Sequence, residues 1–136
     1  MRDEALGIAT RALARREHSR QSLGERLHRA GVGANEADEV LDELERLGLL
    51  HDGRFARERA RVLAERGKGD AAIRIDLERA GVGATRIEEA LAHLEPERER
   101  AERLVDRRGA TPATVRLLAG RGFDEDVVAA IVAQER

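Results

Sequence analysis

Arg29-Ala-Gly-Val-Gly-Ala34 recurs letter for letter, fifty residues on, as Arg79-Ala-Gly-Val-Gly-Ala84. The match extends outward on both sides. Leu23 aligns with Ile73, Leu27 with Leu77, Glu39 with Glu89, Leu41 with Leu91 and Leu44 with Leu94. A weaker third copy, Leu117-Leu-Ala-Gly-Arg-Gly-Phe-Asp124, is followed by Val127, Val128 and Ile131 but lacks the Gly-x-Gly insert. Self-similarity at a fixed period marks stacked supersecondary units, each too small to bury its apolar face alone.

Each copy reads as three helices. In the first, residues 3–16 form one helix and Ser19 starts a second that carries Leu23 and Leu27. The Gly31/Gly33 pair ends it by supplying positive φ. Asn35 is expected to cap a third helix with Ala37, Val40, Leu41, Leu44 and Leu47 along one face, stopped by Gly48. In the second copy Asp52 is placed as the cap of a helix to about Arg66, and Gly67-Lys68-Gly69 makes the turn. A helix through Ile73 and Leu77 follows, then one opened by a Thr85-x-x-Glu88 capping box. In the third, Thr111 precedes Pro112 as cap before a first-turn proline, and Asp124 caps the last helix. The fold expected is all-α: an elongated array of three tandem three-helix repeats over residues 1–50, 51–94 and 95–136.

Composition agrees. Ala, Leu, Glu and Arg dominate the 136 residues, Phe55 and Phe123 are the only aromatics, and β-branched residues do not gather into strand-like runs. No cysteine is present, which excludes disulfides and thiolate metal sites. No apolar run approaches the ~20 residues that cross a bilayer. Met1 to Arg20 lacks the apolar centre of a signal peptide. A cytoplasmic, monomeric protein is expected.

The net charge of −2 conceals an alternation. Residues 11–29 carry six Arg against two Glu, residues 35–52 seven acids against Arg46, and the sign keeps alternating to the C-terminus. Basic helices thus alternate with acidic ones. One reading is a bipolar surface for an anionic partner, and the other is neutralisation between neighbouring helices.

Catalytic patterns are missing. His18, His28, His51 and His93 are scattered without metal-ligand spacing, and no nucleophile–base constellation is visible. The Gly-x-Gly pairs lack the preceding strand and third glycine of a dinucleotide fingerprint. Gly67-Lys68-Gly69 lacks the other elements of a P-loop. No enzyme activity, cofactor or metal is expected.

Three further segments carry a family resemblance. Arg15-Arg-Glu-His-Ser-Arg20 followed by Leu23 and Leu27, Gly48-Leu-Leu-His-Asp-Gly-Arg-Phe-Ala56, and Arg66-Gly-Lys-Gly69 with Ile73-Arg-Ile-Asp-Leu77 resemble, in order and spacing, the conserved segments of the RecX family. The resemblance covers residues 5–95 well and the rest loosely. It implies a non-enzymatic regulator that binds the RecA recombinase and its filament on single-stranded DNA. Inhibition of ATP hydrolysis and strand exchange is implied with it, in DNA repair, homologous recombination and the SOS response. His51 stands where the family commonly has Asp, and the tyrosines and tryptophans of many relatives' second repeat are absent. Any direct DNA contact is therefore expected to be weak, electrostatic and salt-sensitive.

The residues expected to touch the partner or DNA are Arg16 and Arg20 in the first copy and Arg57, Arg61, Arg66, Lys68 and Arg74 in the second. Lys68 is the only lysine in the chain. Phe55 is expected to anchor the first two repeats to each other. Two alternatives stand beside this reading: a helix-turn-helix-type DNA-binding module over residues 19–50, and a generic helical-repeat scaffold. The first is weakened by the acidity of its recognition helix, residues 36–47, which repels phosphate.

Overall fold

The computed structural model describes residues 2–134, which hold nine helices and no strand. The first unit comprises α1 (Arg2–Arg15), α2 (Arg20–Arg29) and α3 (Ala34–Arg46). The second comprises α4 (Asp52–Glu65), α5 (Asp70–Arg79) and α6 (Ala84–Ala92), and the third α7 (Glu97–Arg108), α8 (Pro112–Gly120) and α9 (Glu125–Gln134). Each unit has its own apolar cluster. Ala5, Ala9, Leu23, Leu27, Val40, Leu44 and Leu50 fill the first. Ala56, Ala60, Ile73, Leu77 and Ile87 fill the second, and Ala101, Val105, Leu118, Phe123 and Ile131 the third. The alanines let the first helix of a unit lie close to its partners, so these thin bundles close with at most one aromatic side chain each.

Helix ends follow local chemistry, with three corrections. Ser19 caps α2 by accepting the Ser22 N–H at 3.1 Å, and Thr111 caps α8 by accepting the Thr114 N–H at 3.2 Å. Asp124 accepts the N–H groups of Asp126 and Val127. Asn35 and Thr85, however, lie inside their helices, because α3 and α6 start two residues earlier than expected and take Gly33 and Gly83 as caps. In each Gly-x-Gly only the first glycine has positive φ, +86° at Gly31 and +83° at Gly81, whereas the second is extended. His51 caps α4 in place of Asp52: its Nδ1 accepts the Arg54 N–H at 3.1 Å. Phe55 packs within the second unit's cluster and does not link two units, while Leu50 belongs to the first.

The extensive helix–helix contacts lie within units, and successive units meet through helix ends. At the first junction the start of α2 meets the end of α5. The Ser19 hydroxyl donates to the Ala80 carbonyl at 2.7 Å and Gln21 Nε2 to the Arg79 carbonyl at 2.9 Å. At the second, the start of α5 meets the end of α8 backbone to backbone. The Gly69 N–H donates to the Arg121 carbonyl at 2.8 Å and the Ala71 N–H to the Gly122 carbonyl at 3.2 Å. Unsatisfied donors at one helix start thus meet unsatisfied acceptors at another helix's end, with their dipoles head to tail.

A carboxylate from the first turn of the next unit reinforces each junction. Asp52 accepts the Arg20 N–H at 2.7 Å, and Glu97 accepts the Asp70 N–H at 3.0 Å. Arg100, 8% exposed, pins the second junction. Its guanidinium donates to the carbonyls of Glu95 and Lys68 and to the Asp70 carboxylate, and it lies 5.9 Å from the Phe123 ring centroid.

Candidate partner-binding groove

Helical periodicity sets three arginines of α4 on one face. Arg54, Arg57 and Arg61 follow at spacings of three and four residues, opposite the stripe of Ala56, Ala60 and Leu63 that enters the core. They line a broad, open depression bounded by Glu17, in the turn between α1 and α2 of the first unit, and by His51 and His93. A second depression adjoins it at Arg61 and Leu94 and continues past Arg103 and Arg107 of α7, with Ala64, Leu104 and Phe123 in its lining. Together they form a trough along α4 that spans all three units.

Its electrostatics are mixed. Arg54 bonds Glu17 at 2.6 Å and the Gly48 carbonyl at 3.0 Å, joining the first unit to the second. Arg61 is held between Glu58 and Glu65 of its own helix, and their hydrogen bonds raise its guanidinium pKa further. Arg103 is paired with Glu95. Arg57 and Arg107 are exposed and have no ion-pair partner among the described residues. These two guanidiniums are the trough's available cations.

The six arginines and one lysine singled out from sequence divide into two groups. Arg16, Arg57 and Arg66 are exposed and Lys68 is half-buried, and none of the four side chains makes an ion pair among the described residues. The other three are engaged. Arg20 reaches across to α3, bonding Asp42 at 2.8 Å and Glu45 and lying 3.7 Å from Asp38. Partial burial is the largest influence on its pKa and pulls it down, but the Glu45 and Asp42 carboxylates outweigh it and leave it raised. Arg74 forms a bidentate pair with Glu88 on α6, at 2.8 and 3.2 Å, which raises its pKa. Arg61 is described above. At Arg20 and Arg74 the alternation of charge by helix therefore serves neutralisation within a unit. Only Arg57 and Arg61 of the seven line the trough.

Arg54, Arg103 and Arg107 were missed as trough residues. The signal for Arg54 was its spacing from Arg57 and Arg61. Nothing local marks Arg103 or Arg107, which reach the trough only through the docking of the third unit. Among the described residues no group of three or more His, Asp or Glu side chains is arranged to hold a metal, and no helix is long and apolar enough to cross a membrane.

Three stacked helical units thus present a shallow trough of mixed charge. A family model described as RecX, first three-helix domain, matches residues 5–44. Regulatory protein RecX of Mycolicibacterium smegmatis is 35% identical in an alignment that covers 98% of this chain and 82% of the relative. The chain belongs to the RecX family. Regulatory protein RecX of Halorhodospira halophila is 44% identical over 54% of this chain, a match spanning only 43% of that relative. The chain spans about half the length of several curated relatives it matches. The crystal structure of RecX from Lactobacillus salivarius superposes with a TM-score of 0.82 at 20% identity, covering 98% of this chain and 95% of that one. The two share the fold.

Proposed function

We propose that this chain binds the RecA recombinase and its filament on single-stranded DNA in the cytoplasm, and thereby inhibits ATP hydrolysis and strand exchange without catalysing a reaction itself. The observation that carries this reading is membership of a family of regulatory proteins over nearly the whole chain. The trough supports it, because its open shape suits a macromolecular surface better than a small molecule. Arg57 and Arg107 are the contacts we assign there, with Arg16, Arg66 and Lys68 as further free cations. Arg20, Arg61 and Arg74 are held by acids within the chain and are not assigned as contacts.

The helix-turn-helix alternative loses ground on α3, where Asp38, Glu39, Asp42 and Glu45 are all exposed. Such a helix repels a phosphate backbone. The deciding experiment is the ATPase rate of the cognate recombinase on single-stranded DNA, titrated with this protein. Inhibition at ratios well below one molecule per recombinase subunit supports the regulator reading with action at filament ends. Inhibition only near equal ratios supports it with occupancy along the filament. Unchanged hydrolysis, with folded protein and active filaments, sinks it in favour of a generic scaffold.

A further inference from the structure

A second basic surface lies outside the trough, on the first unit. Ile8, Arg11, Ala12 and Arg15 of α1 face Arg26 of α2 across a shallow depression. No carboxylate lines it. Arg11, Arg15 and Arg26 make no ion pair among the described residues, in a chain where many other arginines do. Arg11 folds back over its own helix, where a Cβ at Gly7 would meet its Nη1 at 3.2 Å. Arg16 follows one residue after Arg15. It and Arg26 add their positive charge at buried His18, whose pKa is lowered first by burial and then by these two guanidiniums.

The repeat itself supplies the comparison. Fifty residues after Arg26 stands Asp76, at the equivalent place on α5. There it closes the seam between the first and second helices of its unit by a bidentate pair with Arg59, at 2.9 and 3.0 Å. In the first unit the carboxylate is replaced by a third guanidinium. Three like charges around one depression repel one another, and an anionic ligand relieves that repulsion.

We propose that the α1/α2 seam, through Arg11, Arg15 and Arg26, binds the phosphodiester backbone of a nucleic-acid strand. Three features favour a strand over a single small anion or an acidic peptide. The depression is open and shallow, so it suits a polymer passing over it. Arg11 and Arg15 stand one helical turn apart, about 6 Å between their Cβ atoms, which is of the order of the spacing between neighbouring phosphates. The planar guanidinium fork matches phosphate oxygens in pairs. No exposed aromatic side chain offers a base a stacking platform, so contact is with the backbone and independent of base sequence. The site is distinct from the trough and does not rest on recombinase binding.

The test is fluorescence anisotropy of a labelled oligo(dT) strand with the full chain, without recombinase, over a range of salt. The parent is expected to bind at low salt. The triple variant Arg11→Ala, Arg15→Ala, Arg26→Ala is expected to bind at least tenfold more weakly, with a log–log salt slope shallower by about 2, the value for three phosphates. Arg26→Asp, which installs the second unit's carboxylate, is expected to lose strand binding while melting no lower than the parent, so misfolding cannot mimic the effect. Arg108→Ala with Arg116→Ala, exposed in the third unit and lining neither depression, should leave strand affinity unchanged. The proposal is overturned by a parent that does not bind oligo(dT), by seam variants that bind as the parent does, or by a poly-glutamate peptide that competes as well as the strand. The recombinase ATPase titration is run on the same variants. Inhibition that survives loss of strand binding leaves the regulator reading intact, whereas absent inhibition with intact strand binding removes that reading and not this one.

Discussion

The carboxylate of Asp52 accepts the backbone N–H of Arg20 at 2.7 Å, so the first residue of one unit's opening helix caps the middle helix of the unit before it. Glu97 repeats the relationship with Asp70. A charged acceptor on a helix-start donor stabilises by about 1.5–3 kcal/mol. Asp52→Ala is therefore expected to lower unfolding free energy by about 2 kcal/mol, and Asp52→Asn, which keeps an acceptor, by less. Equilibrium denaturation checks this. Equal losses for both variants would remove the hydrogen bond from the explanation.

Arg100 has a larger predicted effect. Three acceptors converge on its nearly buried guanidinium, and removing it leaves Asp70 without its cation. Arg100→Ala is expected to cost about 3 kcal/mol, with amide exchange accelerating in α7 to α9 ahead of the first unit. Arg100→Lys should restore little, since one ammonium cannot reproduce the fork. Uniform acceleration across all three units would contradict a role at the second junction.

Much of this architecture was readable in advance, for identifiable reasons. The repeat shows because the glycine at each helix end, Gly31 and Gly81, needs positive φ and the apolar residues around it need helical spacing. Asn35 and Thr85 misled because good capping side chains stood two residues too late, after an extended glycine had already filled the cap. Asp52 misled because its carboxylate had a better use thirty-two residues away. Of the candidate contacts, Arg16, Arg57, Arg66 and Lys68 stayed free, but Arg20 and Arg74 found acids on the following helix. Single-chain charge counting cannot separate these cases, because pairing depends on how helices face each other. Arg11, Arg15 and Arg26 lay inside the segment whose basic excess was evident, yet their convergence needs the α1/α2 packing.

The trough makes a prediction about the recombinase. Reversing Arg57 and Arg107 together, to glutamate, should weaken apparent inhibition of recombinase ATPase roughly tenfold for each charge, with an unchanged melting temperature because neither side chain holds an internal partner. Arg20→Ala should show the opposite pattern, lowering stability by about 1 kcal/mol while leaving inhibition of the remaining folded protein intact. A double reversal that inhibits as the parent does would move the docking surface elsewhere.

His18 ties stability to pH. Burial, then Arg16 and Arg26, lower its pKa, and its Nδ1 lies 3.4 Å from the Ser22 hydroxyl. The unfolded chain therefore takes up a proton that the folded chain resists as pH falls below the ordinary histidine value of about 6.5. The stabilisation is complete above that pH and is lost as acid carries the solution toward the lowered folded value. Denaturation of the parent should show this decline, and His18→Gln should flatten it. A slope unaffected by the substitution would place the acid sensitivity on other groups.

The contact between Gly69 and Gly122 has a wider consequence. A Cβ on Gly69 would fall 2.4 Å from the Gly122 carbonyl, and one on Gly122 would fall 2.6 Å from the Ala72 nitrogen. The angle at which the third unit is mounted is thus held by two positions that carry no side chain and belong to no apolar core. Substitution at either would prise the start of α5 from the end of α8 and loosen the hydrogen bonds from Gly69 to Arg121 and from Ala71 to Gly122. The joint therefore tolerates no added carbon at either position, and its alignment is fixed by what these two residues lack.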